Sequence, residues 1–503
     1  MISFIVAAFL LINGYILYGS FLEKVFDVSA GNKVPSETKY DGVDFVPLDW
    51  KKAFLIQLLN IAGLGPVFGA ILGALWGPIA YIWIIFGAVF IGATHDFAAG
   101  QLSLRENGAS INEIIGKYLG NNTKKLMTVW TLFLLMIVGA VFVMGPARIM
   151  ADMATDSSKA FSNAESFQEK AESAPISAAA SNTVKPIYAT LYFWAFVIFA
   201  YYILATLFPI DAIIGKIYPF FGLALIMMAL FLTQKILTGV WVIPELTLDT
   251  FRNINPSSVP IWPVMMITIT CGAVSGFHAT QSPMIARVLT SEKYSRRVFF
   301  GAMITESFIA LVWAAAAMGI CGGSVIELNN LMGEKGEAVI VVKKVADSLG
   351  GFGWLMCLLG VVALPVTSGD TAYRAARLII ADFFKLDQKP IANRLVICIP
   401  MFLLGAYMCT MDFRVVWRHM SWLNQGLAVF TLWATAVFLK STGRNHWLAS
   451  IPAFFMTFLI ATFVLFDSKS GLGMSYVSSN ILGIVIAGIS AFLISQKNIS
   501  EKS

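Results

Sequence analysis

Thirteen apolar runs, each about as long as a bilayer is thick, leave this chain little choice of fold. A helix rises about 1.5 Å per residue, so about 20 mostly apolar residues cross about 30 Å of hydrocarbon. By that ruler the runs lie near 2–22, 52–75, 78–101, 125–149, 187–208, 213–233, 261–286, 298–321, 352–371, 393–411, 415–439, 446–466 and 475–495. Inside lipid every backbone amide and carbonyl needs a partner, which makes such runs helices. The expectation is therefore all-α, a polytopic transmembrane helix bundle of about 13 helices. A soluble chain of 503 residues could not hide 58% hydrophobic side chains with only 13% charged. The first run lacks a basic leader and a small-residue cleavage site, so it reads as a retained helix.

The charges between the runs orient the bundle. Alternate loops near 23–51, 102–124, 209–216, 287–297, 372–394 and 440–445, with the tail, hold 23 of the 35 Lys and Arg, counting Lys52 and Lys125 at their edges. The positive-inside tendency then places the C-terminus in the cytoplasm and, with an odd helix count, the N-terminus outside. That is the pattern of an integral plasma (inner) membrane protein of bacterial type. The net charge of +6 is spread between runs rather than along one face, so no nucleic acid partner is expected. The segment 151–185, with five acidic and three basic residues, reads as a solvated, partly helical external loop. Cys271, Cys321, Cys357, Cys398 and Cys409 are scattered through apolar sequence and read as packing residues, with no metal spacing among them.

Two runs make poor continuous helices. The second contains Asn60-Ile61-Ala62-Gly63-Leu64-Gly65-Pro66-Val67-Phe68-Gly69, and the seventh contains Cys271-Gly272-Ala273-Val274-Ser275-Gly276-Phe277-His278-Ala279-Thr280-Gln281-Ser282-Pro283. Glycine and proline weaken a helix, and a break at membrane depth survives only inside protein or beside a cavity. Close packing is the competing reading, strongest for Gly69 and Gly73, which form a G-x-x-x-G pattern. The breaks are five spans apart. That spacing predicts a 5+5 inverted-repeat (LeuT/APC-like) transporter core, with 52–233 and 261–439 as its halves. The helix 1–22 and the pair 446–495 then stand outside it. Corresponding breaks are where a transporter holds its ligand, so Gly63, Gly65, Pro66, Gly69, Gly272, Ser275, Gly276, His278 and Gln281 are the candidate substrate-binding residues.

Ionisable groups inside apolar runs are functional candidates, because charge in hydrocarbon is costly. His278, inside the second break, suits a proton carrier or a substrate ligand, against the plainer role of bonding a loosened carbonyl. His95 and Asp96 close the third run, and Glu306 lies inside the eighth facing a partner in the bundle. Thr367, Ser368 and Asp370 could coordinate a cation, although Asp370 and Arg374 are spaced for a helical ion pair. The ion-coupling candidates are thus His278, Asp96, Thr367, Ser368 and Asp370. Arg148 reads as an interfacial anchor.

These residues resemble the carbon starvation protein A family of membrane transporters. The resemblance rests on Asp41-Gly42-Val43-Asp44-Phe45-Val46-Pro47, Ile61 to Pro66, the Gly92 to Ser110 stretch with Asp96-Phe97, Cys271 to His278, Glu306-Ser307, and Thr367-Ser368-Gly369-Asp370-Thr371-Ala372. It covers most of the first 380 residues; the last hundred agree mainly in hydropathy. The resemblance implies uptake of pyruvate, a related small carboxylate or small peptides by cation-coupled symport. It also marks a departure: members often carry paired histidines just ahead of the first break, where this chain has Ile56-Gln57. The implied partners are a small-molecule substrate, the lipid bilayer and a coupling cation, proton or sodium, with a homo-oligomer open. No other cofactor and no metal are expected. The rival from another class is a membrane nutrient sensor or channel without coupled transport. An enzyme is not expected, since four scattered histidines supply no catalytic cluster.

Overall fold

The structure is a computed structural model that describes every residue except 43–44, 170–185, 208–209, 334–337, 389 and 498–503. Among the described residues the regular elements are helices, with one isolated parallel bridge between Leu48 and Leu289. Among the described residues ten helices are long and apolar enough to cross a membrane, and up to eleven if the one bent pair counts as a single span.

In chain order the first span is α1 (Ile2–Phe26), and the bent pair is α2 (Trp50–Ile61) with α3 (Gly65–Trp76), angled by 57°. Then come α4 (Ile79–Arg105), α5 (Asn121–Glu169), α6 (Leu191–Leu207) and α7 (Ile210–Leu237). After α8 (His278–Ala286) follow α9 (Glu292–Gly319), α10 (Gly350–Ala381), α11 (Ile391–Met408), α12 (Phe413–Ser441), α13 (Trp447–Phe466) and α14 (Tyr476–Ser495). The expected spans therefore recur with two changes. The fifth, α6, is a shorter apolar helix of 17 residues. The seventh is not one helix: 261–268 and α8 are helical and residues 269–277 between them are not. Along the expected external loop α5 continues as helix to Glu169, and 170–185 lies outside the described residues.

Burial sorts the helices into centre and rim. In their most apolar stretches α9 and α12 are 89% buried, against 22% for α1 and 17% for α14. The bundle thus presents α1 and α14 to lipid and encloses α9 and α12. Local chemistry starts several helices at loops: Asp49 accepts from the amide of Lys51 ahead of α2, and Asp412 from that of Arg414 ahead of α12.

Basic loops predicted for one side do meet. Arg105 pairs with Glu292 at 3.0 Å and donates to the Phe26 carbonyl, and Arg444 donates to that same carbonyl at 2.6 Å. Arg287 donates to Gly108 O at 3.0 Å, and Lys440 to Ser495 O at 2.6 Å. Loops from the opposite set meet each other, with Asn255 donating to Leu75 O and Arg418 paired to Asp467 at 2.7 Å.

Candidate functional site

The two interrupted spans cross each other backbone to backbone, and glycine permits the crossing. A Cβ on Gly65 would collide with Cys271, one on Gly73 with Ile269, and one on Gly69 would sit 3.3 Å from Thr268 O. A Cβ on Gly272 would lie 2.5 Å from Ala310 and 3.6 Å from Pro66 Cα. Small residues let membrane helices approach closely, so the close-packing reading of Gly69 and Gly73 holds alongside the break itself. Gly63 faces the ring of Phe142 on α5, which in turn meets Phe277 edge to face at 6.2 Å.

Each break frees backbone groups, and side chains from other helices take them. Gly63 N turns to Ile61 O, and the carbonyl of Leu59 accepts from Ser368 Oγ on α10 at 3.0 Å. At the second break the work falls to α12. Asn424 Oδ1 accepts from Phe277 N at 2.6 Å, and Asn424 Nδ2 donates to Thr270 Oγ1 and Ser275 Oγ, each at 3.0 Å. Its own carbonyl accepts from Gly276 N at 3.1 Å, so closely that a Cβ on Gly276 would strike it. Gln425 Nε2 donates to Met266 O and Ile267 O at 3.2 Å, and Trp83 Nε1 to Met266 O at 3.0 Å. An orphaned amide or carbonyl in hydrocarbon costs several kcal/mol, on the order of the whole margin of a fold. Asn424 and Gln425 were not among the expected site residues. The side-by-side Asn-Gln inside an apolar run is the available signal, and it is a neutral one.

Four titratable side chains join at the start of α8. His278 opens that helix rather than lying within the unwound stretch. Its Nδ1 lies 2.7 Å from Asp96 Oδ2 in a hydrogen bond, and its Nε2 lies 3.3 Å from Glu306 Oε2 without hydrogen-bond geometry, so each ring nitrogen faces a carboxylate. The second oxygen of Asp96 lies 2.8 Å from His95 Nδ1. All four side chains are wholly buried. α4 supplies His95 and Asp96, α8 His278 and α9 Glu306. The expected pair His278 and Asp96 is thus in direct contact, and Glu306 is the partner that completes the set.

The other expected coupling residues form a separate group. Thr367 Oγ1 donates to Leu364 O at 2.7 Å and Ser368 Oγ to Leu59 O, which ties α10 to the first break. Asp370 makes its spaced ion pair with Arg374 at 3.1 Å. It shares a small cavity with Thr206, Tyr373, Arg377 and Cys398, and none of the four clustered groups is among the lining residues. The Arg148 guanidinium, inside α5 rather than at its end, lies over the Phe413 ring at 5.3 Å.

Some of the buried polar atoms that have no hydrogen-bond partner among the described residues lie in the cluster or on helices packed against it. Both amide atoms of Gln57 on α2 are unpartnered, as are Gln281 Oε1, His95 Nε2 and both Glu306 oxygens. All four residues are fully buried. Helix α2 packs on α8 and α9, which carry Gln281 and Glu306. Gln281 spends its Nε2 on Thr280 Oγ1 at 2.8 Å and keeps a free carbonyl oxygen. Gln57 is legible in the sequence only as the position ahead of the first break.

A family model described as carbon starvation protein CstA matches residues 1–167 and 173–354. An uncharacterised membrane protein of Haemophilus influenzae is 40% identical over 341 residues, which are 63% of this chain and 91% of that one. The peptide transporter CstA of Escherichia coli is 25% identical over 83% of this chain and 62% of its own length. The pyruvate/proton symporter BtsT of the same organism is 25% identical over 61% of this chain. The match spans 47% of that symporter, so this chain covers about half of its length.

Proposed function

Because the chain belongs to the carbon starvation protein CstA family, we propose that it is a secondary active transporter importing a small polar nutrient by cation-coupled symport with alternating access. The candidate cargo is pyruvate or a related small carboxylate, or a small peptide. That the protein is integral to the membrane follows from its helices and its family. The relatives named for a cargo are named for peptides or pyruvate, and one for proton symport.

The observation that carries the reading is His278, held between Asp96 and Glu306 on the helical half that follows a break. A dry cluster tolerates little net charge, since moving one uncompensated ion out of water costs several kcal/mol or more. With both carboxylates ionised and both imidazoles neutral the cluster carries two negative charges. Two bound protons make it neutral. A third proton makes it cationic, and a substrate carboxylate beside α8 then restores neutrality, helped by the positive end of that helix. Proton and carboxylate so enter together or not at all, which is symport. The amide of Gln57 and the carbonyl oxygen of Gln281, without partners among the described residues, supply hydrogen bonds for a polar cargo.

The two halves 52–233 and 261–439 are the parts whose relative movement exposes the site to each side in turn, with the C-terminus and the basic loops cytoplasmic. Sodium is the second candidate ion, favoured by one observation: Ser368, Thr367 and the carbonyls of Leu59 and Leu364 gather neutral oxygens of the kind a hard cation takes. Uptake of labelled pyruvate and of a labelled dipeptide into proteoliposomes, under an imposed proton or sodium gradient, tests the reading. Accumulation driven by the proton gradient is expected. Accumulation by sodium alone would move the coupling site to Ser368. Absence of gradient-driven uptake of either cargo, or a conductance far above transporter turnover, would overturn it.

A further inference from the structure

A groove of about 540 Å³ runs between α12, α13 and α14, away from the breaks. Its three walls share one polarity. On α12 the lining runs from Trp433 through Val437 to Lys440 at the helix end. The second wall begins with His446 just ahead of α13 and continues on that helix through Ser450 to Phe454, and on α14 the lining passes Phe492 before reaching Ser495. All the polar lining residues therefore sit at the end where the basic loops meet, and the rest of the wall is apolar. No carboxylate is among the described residues that line it.

The groove opens to the outside of the bundle. Trp447 is 60% exposed and Phe492 62%, and α14 is the least buried of the spans. Lys440 gives one ammonium proton to Ser495 O at 2.6 Å and has two more to give. His446 uses Nδ1 on Ser450 Oγ at 3.0 Å, and its other nitrogen remains. His446 and Trp447 meet with ring centroids 4.8 Å apart and planes tilted by 31°, a polar-tipped aromatic pair of the kind that settles at head-group level.

We propose that this groove binds an anionic glycerophospholipid, with the phosphate of its head group at Lys440 and His446 and an acyl chain along the apolar wall. The volume lies within the range of about 300–1,000 Å³ that holds small molecules. Charge complementarity at one end and an apolar floor beyond it match a lipid with a charged head, and basic pockets between membrane helices hold such heads. The bound lipid bridges the ends of α12 and α14 to the start of α13, and so holds the C-terminal pair of helices to the core.

Native mass spectrometry of the purified full chain, with phosphatidylglycerol or phosphatidylcholine of identical acyl chains, tests the proposal. Retention of phosphatidylglycerol over phosphatidylcholine is expected. Lys440→Gln should cut that preference about fivefold, the ratio corresponding to about 1 kcal/mol per basic residue at a membrane surface. Lys440→Arg should keep it, and Ala491→Trp, which fills the groove, should lower retention of both lipids. Equal retention of the two lipids would overturn the proposal. So would an unchanged preference in Lys440→Gln, or a dimer of two chains that holds no lipid. Melting in detergent checks that each variant is folded, and none of these outcomes depends on what the protein transports.

Discussion

The two interrupted spans solve the same backbone problem with different chemistry. The break between α2 and α3 is glycine, proline and apolar packing, and its freed carbonyl is met by one neutral hydroxyl, that of Ser368. The break before α8 adds polar side chains, Thr270 and Ser275, to its glycines. Asn424 and Gln425 satisfy its backbone, and an ionisable cluster sits at its helical exit. The difference teaches which half does what: the first break allows close approach and bending, and the second carries charge. A neutral crossing can slide without an electrostatic penalty, whereas a buried cluster of carboxylates and imidazoles responds steeply to each proton gained or lost.

If that division is right, the largest effect comes from the carboxylate shared by both imidazoles. Asp96→Asn should reduce proton-driven uptake at least about 100-fold, as loss of one partner in a buried ion pair costs about 3–5 kcal/mol. Uptake in proteoliposomes reads the effect, and survival of proton-driven uptake would break the comparison. Next in size is Asn424→Leu, which fills the space but removes the bonds to Phe277, Thr270 and Ser275. With about 1–3 kcal/mol for each buried group left unpaired, the melting temperature in detergent should fall sharply. Leucine at Gln425 should do less, because Met266 O keeps Trp83 as a donor.

On the first break the effects shrink. Ser368→Ala leaves Leu59 O unpaired and should lower stability by about 1–2 kcal/mol while leaving the pH dependence of uptake in place. Sodium-dependent uptake lost in this variant would instead assign the ion to the first break. The smallest stability effect belongs to Gln57→Leu. Its amide has no partner among the described residues to lose, so the variant should melt at or above the wild-type temperature. Its apparent affinity for cargo should weaken several-fold. A fall in melting temperature with unchanged affinity would make Gln57 a structural residue.

Much of this arrangement is legible in the chain itself. Apolar length finds the spans, and the Gly-Leu-Gly-Pro and Cys-Gly-Ala-Val-Ser-Gly stretches mark where backbone cannot stay helical. The rule that charge in hydrocarbon has a purpose picks out His278, Asp96 and Glu306 one at a time. It cannot join them, because His278 and Asp96 are 182 residues apart and periodicity carries no register between separate helices. Asp370 illustrates the opposite case: its partner lies one helical turn away, and the spacing to Arg374 gives the pair directly. Asn424 and Gln425 escape because a neutral side chain in a regular helix raises no alarm. Their role exists only once another helix is broken beside them.

The central claim is that protons couple to transport through His278. It is tested most directly by His278→Gln in proteoliposomes, comparing uphill uptake under a proton gradient with substrate exchange at equal pH. The account predicts that uphill uptake and its pH dependence are lost while exchange persists, since glutamine keeps a hydrogen-bonding side chain but carries no proton. Uphill uptake at wild-type rates with wild-type pH dependence would contradict it.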